Sequence, residues 1–136
     1  MVMVDSQASG GLVSFRGVQK SYDGENLIVK DLNLEIRKGE FLTLLGPSGS
    51  GKTTSLMMLA GFEGVSTGTI RLDGHPIDRL PAHERNMGVV FQSYSLFPHL
   101  NVADNVAFPL KVRKLGAADI AGRVRRALQL VHLEEF

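Results

Sequence analysis

Between residues 32 and 37 the chain alternates strictly: Leu32, Leu34 and Ile36 are separated by Asn33, Glu35 and Arg37. A period of two is that of a half-buried antiparallel strand. The whole stretch "LVSFRGVQKSYDGENLIVKDLNLEIRKGE" is strand-like, with turn signals at Asp23-Gly24 and Lys38-Gly39. "FLTLL" is short and almost entirely apolar, which predicts a strand covered on both faces. After a run of glycines, Leu56, Leu59 and Ala60 recur at helical spacing, and Gly61 is placed to stop the helix. "GTIRLDG" reads as a surface strand with a turn, and "MGVVF" as a second buried strand. From Asn101 the period becomes helical, with Asn101 as cap and Asp104 as first-turn acid. Further on, Ile120, Val124, Leu128 and Val131 share one face while Arg123, Arg125 and Arg126 lie mostly elsewhere, an amphipathic helix.

Composition narrows the class. The 136 residues are enough for one domain and too few for two ordinary ones. Hydrophobic residues at 43% and charged residues at 21% are ordinary globular values. A formal charge of +1 supplies no strong field, so nothing argues for nucleic acid as a partner. No cysteine is present, which excludes a disulfide frame and a thiolate metal site. His75, His83, His99 and His132 share no metal-ligand spacing. The apolar runs fall far short of the roughly 20 residues a membrane helix needs. The opening "MVMVDSQASGG" has neither a basic start nor an apolar core of secretory type, and residues 1–11 are expected to form a flexible tail.

The chemistry concentrates in "LLGPSGSGKTTSLMMLAG", Leu44 to Gly61. Gly46, Gly51, Lys52 and Thr53 fill the fixed positions of G-x-x-x-x-G-K-[ST], set between an apolar segment and a helix start. In this setting glycine lets the backbone turn tightly and approach phosphate oxygens that a side chain would obstruct. The amides from Gly49 to Thr54 then point into one concavity, and the helix contributes its unpaired N–H groups and positive end. Gly46, Pro47, Ser48, Gly49, Ser50, Gly51, Lys52, Thr53 and Thr54 are thus candidate nucleotide-binding residues. Lys52 supplies a full charge to the β- and γ-phosphates, the Thr53 hydroxyl is the expected Mg²⁺ ligand, and Thr54 is a further donor. With glycine near 7% of residues, a chance match in a chain of this length has a probability of roughly 1%.

Together with "MGVVFQSYSLFPHLNVADNVAFPL" some thirty residues later, this segment resembles the ATP-binding subunits of ABC transporters, especially bacterial importers of the polyamine, iron and sugar group. The resemblance covers Leu12 to Phe136. It implies an α/β fold: a P-loop NTPase core, an N-terminal antiparallel β-subdomain, and the beginning of a helical arm near residues 93–101. It also implies that Tyr22 stacks on adenine, a contact worth about 1–3 kcal/mol in analogous complexes. Gln92 matches the loop glutamine that reaches Mg²⁺ and the attacking water, which makes Gln92 and Lys52 the candidate catalytic residues and Thr53 and Gln92 the candidate metal ligands. Ser93 to Leu100 match the surface that receives a transmembrane permease subunit, and Tyr94, Leu96 and Phe97 suit such a contact if exposed. ATP and Mg²⁺ are the implied cofactors, a second copy of the subunit the implied partner, and the cytoplasmic face of the inner membrane the implied location, held peripherally.

The same resemblance implies elements that residues 12–136 do not contain: a Leu-Ser-Gly-Gly-Gln signature, a second acidic strand motif, a catalytic glutamate and a switch histidine. The chain therefore reads as the N-terminal part of a longer ATPase, expected to bind ATP without turning it over. Two alternatives stand beside this one. A small-molecule kinase would need an arginine-bearing lid and an acceptor pocket, and Tyr22 and Gln92 argue against it. A non-transport ABC-type ATPase of the DNA-maintenance kind is not excluded by the spacing from Lys52 to Gln92, but "SLFPHL" favours a transporter. The solute is not legible.

Overall fold

The structure, a computed structural model, describes residues 11–135; all of the expected tail but Gly11, together with Phe136, lies outside them. The described chain forms two compact units, divided between Val89 and Val90.

The first unit is built on a four-stranded antiparallel sheet. Strands β1 (Val13–Ser21), β2 (Leu27–Ile36), β3 (Thr67–Leu72) and the short β4 (His75–Pro76) lie in the order β2-β1-β3-β4. The β1–β2 hairpin pairs Val13 with Ile36 and Phe15 with Leu34, and β3 adds to the other side of β1 with Phe15 opposite Ile70. Strand β2 alternates as its sequence requires, Leu32, Leu34 and Ile36 facing inward between exposed neighbours. Val13, Phe15, Val18, Val29, Met58, Ile70 and Ile77 make the core. The "GTIRLDG" segment is a strand followed by a turn, with Thr67, Gly68 and Arg71 exposed, while Ile70 on its other face is fully buried in the core cluster with Phe15, Val18 and Met58.

Helix α1 (Lys52–Ala60) follows the glycine run and ends at Gly61, whose N–H returns to the Met57 carbonyl. Met58 packs into the core, whereas Leu56 is exposed. The largest departures are "FLTLL" and "MGVVF", which are not strands in the structure. Phe41, Leu45 and Val90 are 94%, 95% and 90% exposed. The reason is backbone pairing: a strand covered on both faces needs a neighbour on each edge, and no segment among the described residues pairs with either stretch.

The second unit contains helices α2 (Val102–Val112) and α3 (Ala117–Leu130). The Asn101 side chain accepts the Asp104 N–H at 2.8 Å, the cap its position predicts. Ala107, Val124 and Leu128 are buried between the helices with Ile120 packed against them, but Val131 lies past the end of α3 and is exposed. No helix among the described residues is long and apolar enough to cross a membrane.

Candidate functional site

The phosphate loop lies in the first unit. Residues 46–50 are exposed backbone and side chains running directly into the first turn of α1. Gly51, the N-cap, has φ 83°, and a Cβ there would sit 2.9 Å from Val29 Cγ2 and 3.0 Å from the Ile28 carbonyl oxygen. Only glycine meets both the left-handed backbone and the close pass of β2. Because the N-cap has no side chain and the first turn contains no acid, nothing in α1's own sequence neutralises its positive end. The first amides of the helix are therefore left for an anion.

Lys52 is held at this loop. Its Nζ donates to the Pro47 carbonyl at 2.6 Å, the Gly46 carbonyl at 2.7 Å and Ser50 Oγ at 3.1 Å. Phosphate oxygens would compete with these three acceptors for one ammonium. Thr53 is exposed and Thr54 half-buried in the same first turn. Ser55 instead turns inward, its hydroxyl donating to the Gly51 carbonyl at 2.9 Å.

The loop borders two concavities of different character. One, of about 530 Å³, is walled by Phe15, Leu32, Leu34, Leu42 and Leu59 as well as by the loop, and its apolar lining does not suit a polyphosphate. The other, of about 560 Å³, is an open groove between β2 residues Leu27 to Leu32 and loop residues Gly49 and Ser50. Lys52, Gly46, Pro47 and Gly51 border the first of these concavities, whereas Gly49 and Ser50 border the groove. The exposed loop backbone offers donors to an anion, and the Thr53 hydroxyl is an oxygen donor suited to Mg²⁺.

Tyr22 follows β1 and is 59% exposed. It is not among the residues lining the groove, and its ring lies beneath the Lys20 ammonium, 4.7 Å from Nζ to the ring centroid. The turn that carries it is tied by Asp23, whose carboxylate accepts from the Asn26 side chain and from the backbone N–H groups of Asn26 and Glu25. These bonds, led by that from the Asn26 side chain, hold the Asp23 carboxyl well below the usual carboxylate range.

Gln92 belongs to the second unit and the phosphate loop to the first. It occupies an exposed turn in which the Tyr94 N–H returns to the Phe91 carbonyl and Tyr94 and Ser95 take positive φ values of 60° and 47°. Tyr94 and Leu96 are exposed. Phe97 is partly screened by Phe108, ring centroids 4.3 Å apart. Asn105 secures this segment: its side-chain amide accepts from the Phe97 N–H and donates to the carbonyls of Phe97, Leu100 and Asn101.

Sequence reasoning missed Arg85. Its guanidinium is buried and donates through Nε to Leu80 O at 2.8 Å and through Nη1 to Met58 O at 2.7 Å and Leu59 O at 2.8 Å. The last two are carbonyls at the end of α1, so Arg85 closes the far end of the helix that begins at the phosphate loop. Burial lowers its pKa, and the nearby Asp78 carboxylate opposes that shift. An arginine among "HERNMG" has no periodicity that marks it as buried.

Comparison with known proteins adds the family. The family model described as ABC transporter matches residues 29–136. A spermidine/putrescine import ATP-binding protein PotA from Aggregatibacter actinomycetemcomitans is 52% identical over 125 residues, covering 92% of this chain and 33% of that protein. The PotA of Thermotoga maritima is 49% identical over 126 residues, covering 93% of this chain and 34% of that protein. The chain thus spans about a third of the length of the curated relatives it matches. Among solved structures, a dimeric post-hydrolysis state of the ATP-binding cassette MJ0796 bound to ADP and Pi superposes with a TM-score of 0.79 at 32% identity, covering 90% of this chain and 58% of that one. With a matching family model over most of its length, and a phosphate loop set on an uncapped helix start in a fold shared with an ATP-binding cassette, the chain belongs to the ABC transporter family.

Proposed function

We propose that this chain is the nucleotide-binding part of an ATP-binding and ATP-hydrolysing subunit that powers solute import. The observation that carries the reading is the exposed loop 46–50 leading into the uncapped start of α1 with the Lys52 ammonium beside it. Backbone amides from Gly49 to Thr54 hold the phosphates, Lys52 neutralises them, and the Thr53 hydroxyl would be a ligand of Mg²⁺. When bound, Mg²⁺ supplies further charge neutralisation to the β- and γ-phosphates. Tyr22 stacks on the base. The names of the relatives support polyamines as the solute class. Ser93 to Leu100, with exposed Tyr94 and Leu96, meet a membrane permease at the cytoplasmic face of the inner membrane. A second copy of the subunit completes each ATP site, a reading supported by the dimeric cassettes of similar fold.

The test is Lys52→Ala with ATP binding followed by titration calorimetry. Loss of a charge-assisted contact worth about 1.5–3 kcal/mol weakens affinity roughly ten- to a hundredfold. Wild-type affinity in a folded Lys52→Ala protein removes the lysine from the site. Gln92 can orient a water but cannot take its proton, and no carboxylate is assigned that role. The 136-residue chain is therefore expected to bind ATP without appreciable phosphate release.

A further inference from the structure

Lys20 is the least ordinary lysine of the first unit. It sits in β1 two residues before Tyr22, which lies in the bend just past the end of the strand. Its side chain is only 12% exposed. The ammonium is taken on three sides: Glu63 Oε2 at 3.0 Å, the Gly64 carbonyl at 2.8 Å, and the Tyr22 ring at 4.7 Å to the centroid. Glu63 and Gly64 follow the Gly61 cap of α1, so this one side chain joins the end of the phosphate-loop helix to the aromatic ring. Hydrogen bonds beside it reinforce the link, the Ser21 N–H donating to Ser66 Oγ at 3.0 Å and the Ser66 N–H to the Gln19 carbonyl at 2.9 Å.

We propose that Lys20 is a positioning residue for nucleotide recognition: held by Glu63 and Gly64, it grips one face of Tyr22 and presents the rest of the exposed ring to the base. The inference rests on the reading of Tyr22 as the base-stacking residue. A tyrosine on an exposed turn otherwise loses side-chain freedom when a base stacks on it, and an ammonium against its face removes part of that freedom beforehand. The ammonium does not itself touch the nucleotide, so its effect should reach ligands that carry a base and spare those that do not. A lysine that served only the fold would affect both alike.

The experiment compares ATP with inorganic tripolyphosphate, which has the phosphates and no base, by calorimetry on the full chain and its Lys20→Met, Lys20→Arg, Glu63→Gln and Tyr22→Ala variants. Circular dichroism checks that each variant folds. Lys20→Met is expected to weaken ATP by about three- to tenfold and tripolyphosphate by less than about twofold. Lys20→Arg should retain most ATP affinity, and Glu63→Gln should follow Lys20→Met more weakly, which keeps the test open should Lys20→Met fail to fold. In a Tyr22→Ala background, Lys20→Met should cost nothing further. Equal losses on both ligands, or losses that add to that of Tyr22→Ala, overturn the proposal. So does an unchanged ATP affinity in Lys20→Met when Tyr22→Ala weakens it, and in that case the stacking role survives. ATP affinity unchanged in Tyr22→Ala removes the stacking role itself and this inference with it.

Discussion

The antiparallel sheet of the first unit and the two apolar stretches "FLTLL" and "MGVVF" carry the same kind of residue and meet opposite ends. Val18 and Ile70 are fully buried, whereas Phe41, Leu45 and Val90 are almost fully exposed. Hydrophobicity does not separate them; pairing does. Strands β1 and β2 are joined by a short turn, so their ladder closes over few residues at small entropic cost. An apolar strand of a parallel sheet takes partners from distant parts of a chain, and among the described residues neither stretch joins a sheet. Apolar composition makes a segment suitable for a core, but only a hydrogen-bonding neighbour makes it a strand.

The sharpest way to break this comparison is to shorten one side chain in each class. Ile70→Ala should cost about 2–5 kcal/mol by leaving a cavity in the sheet core. Leu45→Ala should stay within about 0.5 kcal/mol. Chemical denaturation measures both, and a comparable loss at Leu45 would show that its segment is covered in solution.

Next in size is Arg85, which binds the end of α1 through tertiary contacts alone. Arg85→Met leaves the carbonyls of Met58, Leu59 and Leu80 without their donor and should destabilise by about 2–4 kcal/mol, with Arg85→Lys restoring only part, because an ammonium lacks the planar fork. A silent Arg85→Met in the same denaturation series would mean that the end of α1 is secured elsewhere.

Hydrogen exchange sharpens the contrast without mutation. Amides paired between β1 and β3 should exchange at least about a hundredfold more slowly than those of residues 41–45, which lack ladder partners. Similar protection in both would place residues 41–45 in a sheet.

The smallest effect concerns the Tyr22 turn. Because the folded-state pKa of Asp23 is depressed, the contribution of its carboxylate is present above the unfolded value near 3.9 and is lost only as pH falls through the lower folded value. An NMR titration should find the Asp23 carboxyl still ionised where ordinary carboxylates have protonated. A titration at the ordinary value would show that the hydrogen bonds from Asn26 and Glu25 are not formed in solution.

Sequence alone determined the features that rest on neighbouring residues: the alternation of Leu32, Leu34 and Ile36, the Asn101 cap, the Gly61 stop, and the glycine-lysine-threonine loop at the start of α1. Each follows from local backbone geometry or from hydrogen bonds within a few positions. The family was legible for the same reason, since the phosphate loop and the "MGVVFQSYSLFPHLNVADNVAFPL" stretch that together carry the resemblance are each contiguous runs. Tertiary structure decided what depends on residues far apart in the chain. Ile70 became a core residue because its face of β3 packs with Phe15, Val18 and Met58, Arg85 became buried because the α1 carbonyls lie within its reach, and Lys20 came to face Glu63 because the end of β1 meets the turn after α1. It also decided that Phe41, Leu45 and Val90 stay exposed, since the burial of an apolar strand depends on partners that its own sequence does not specify.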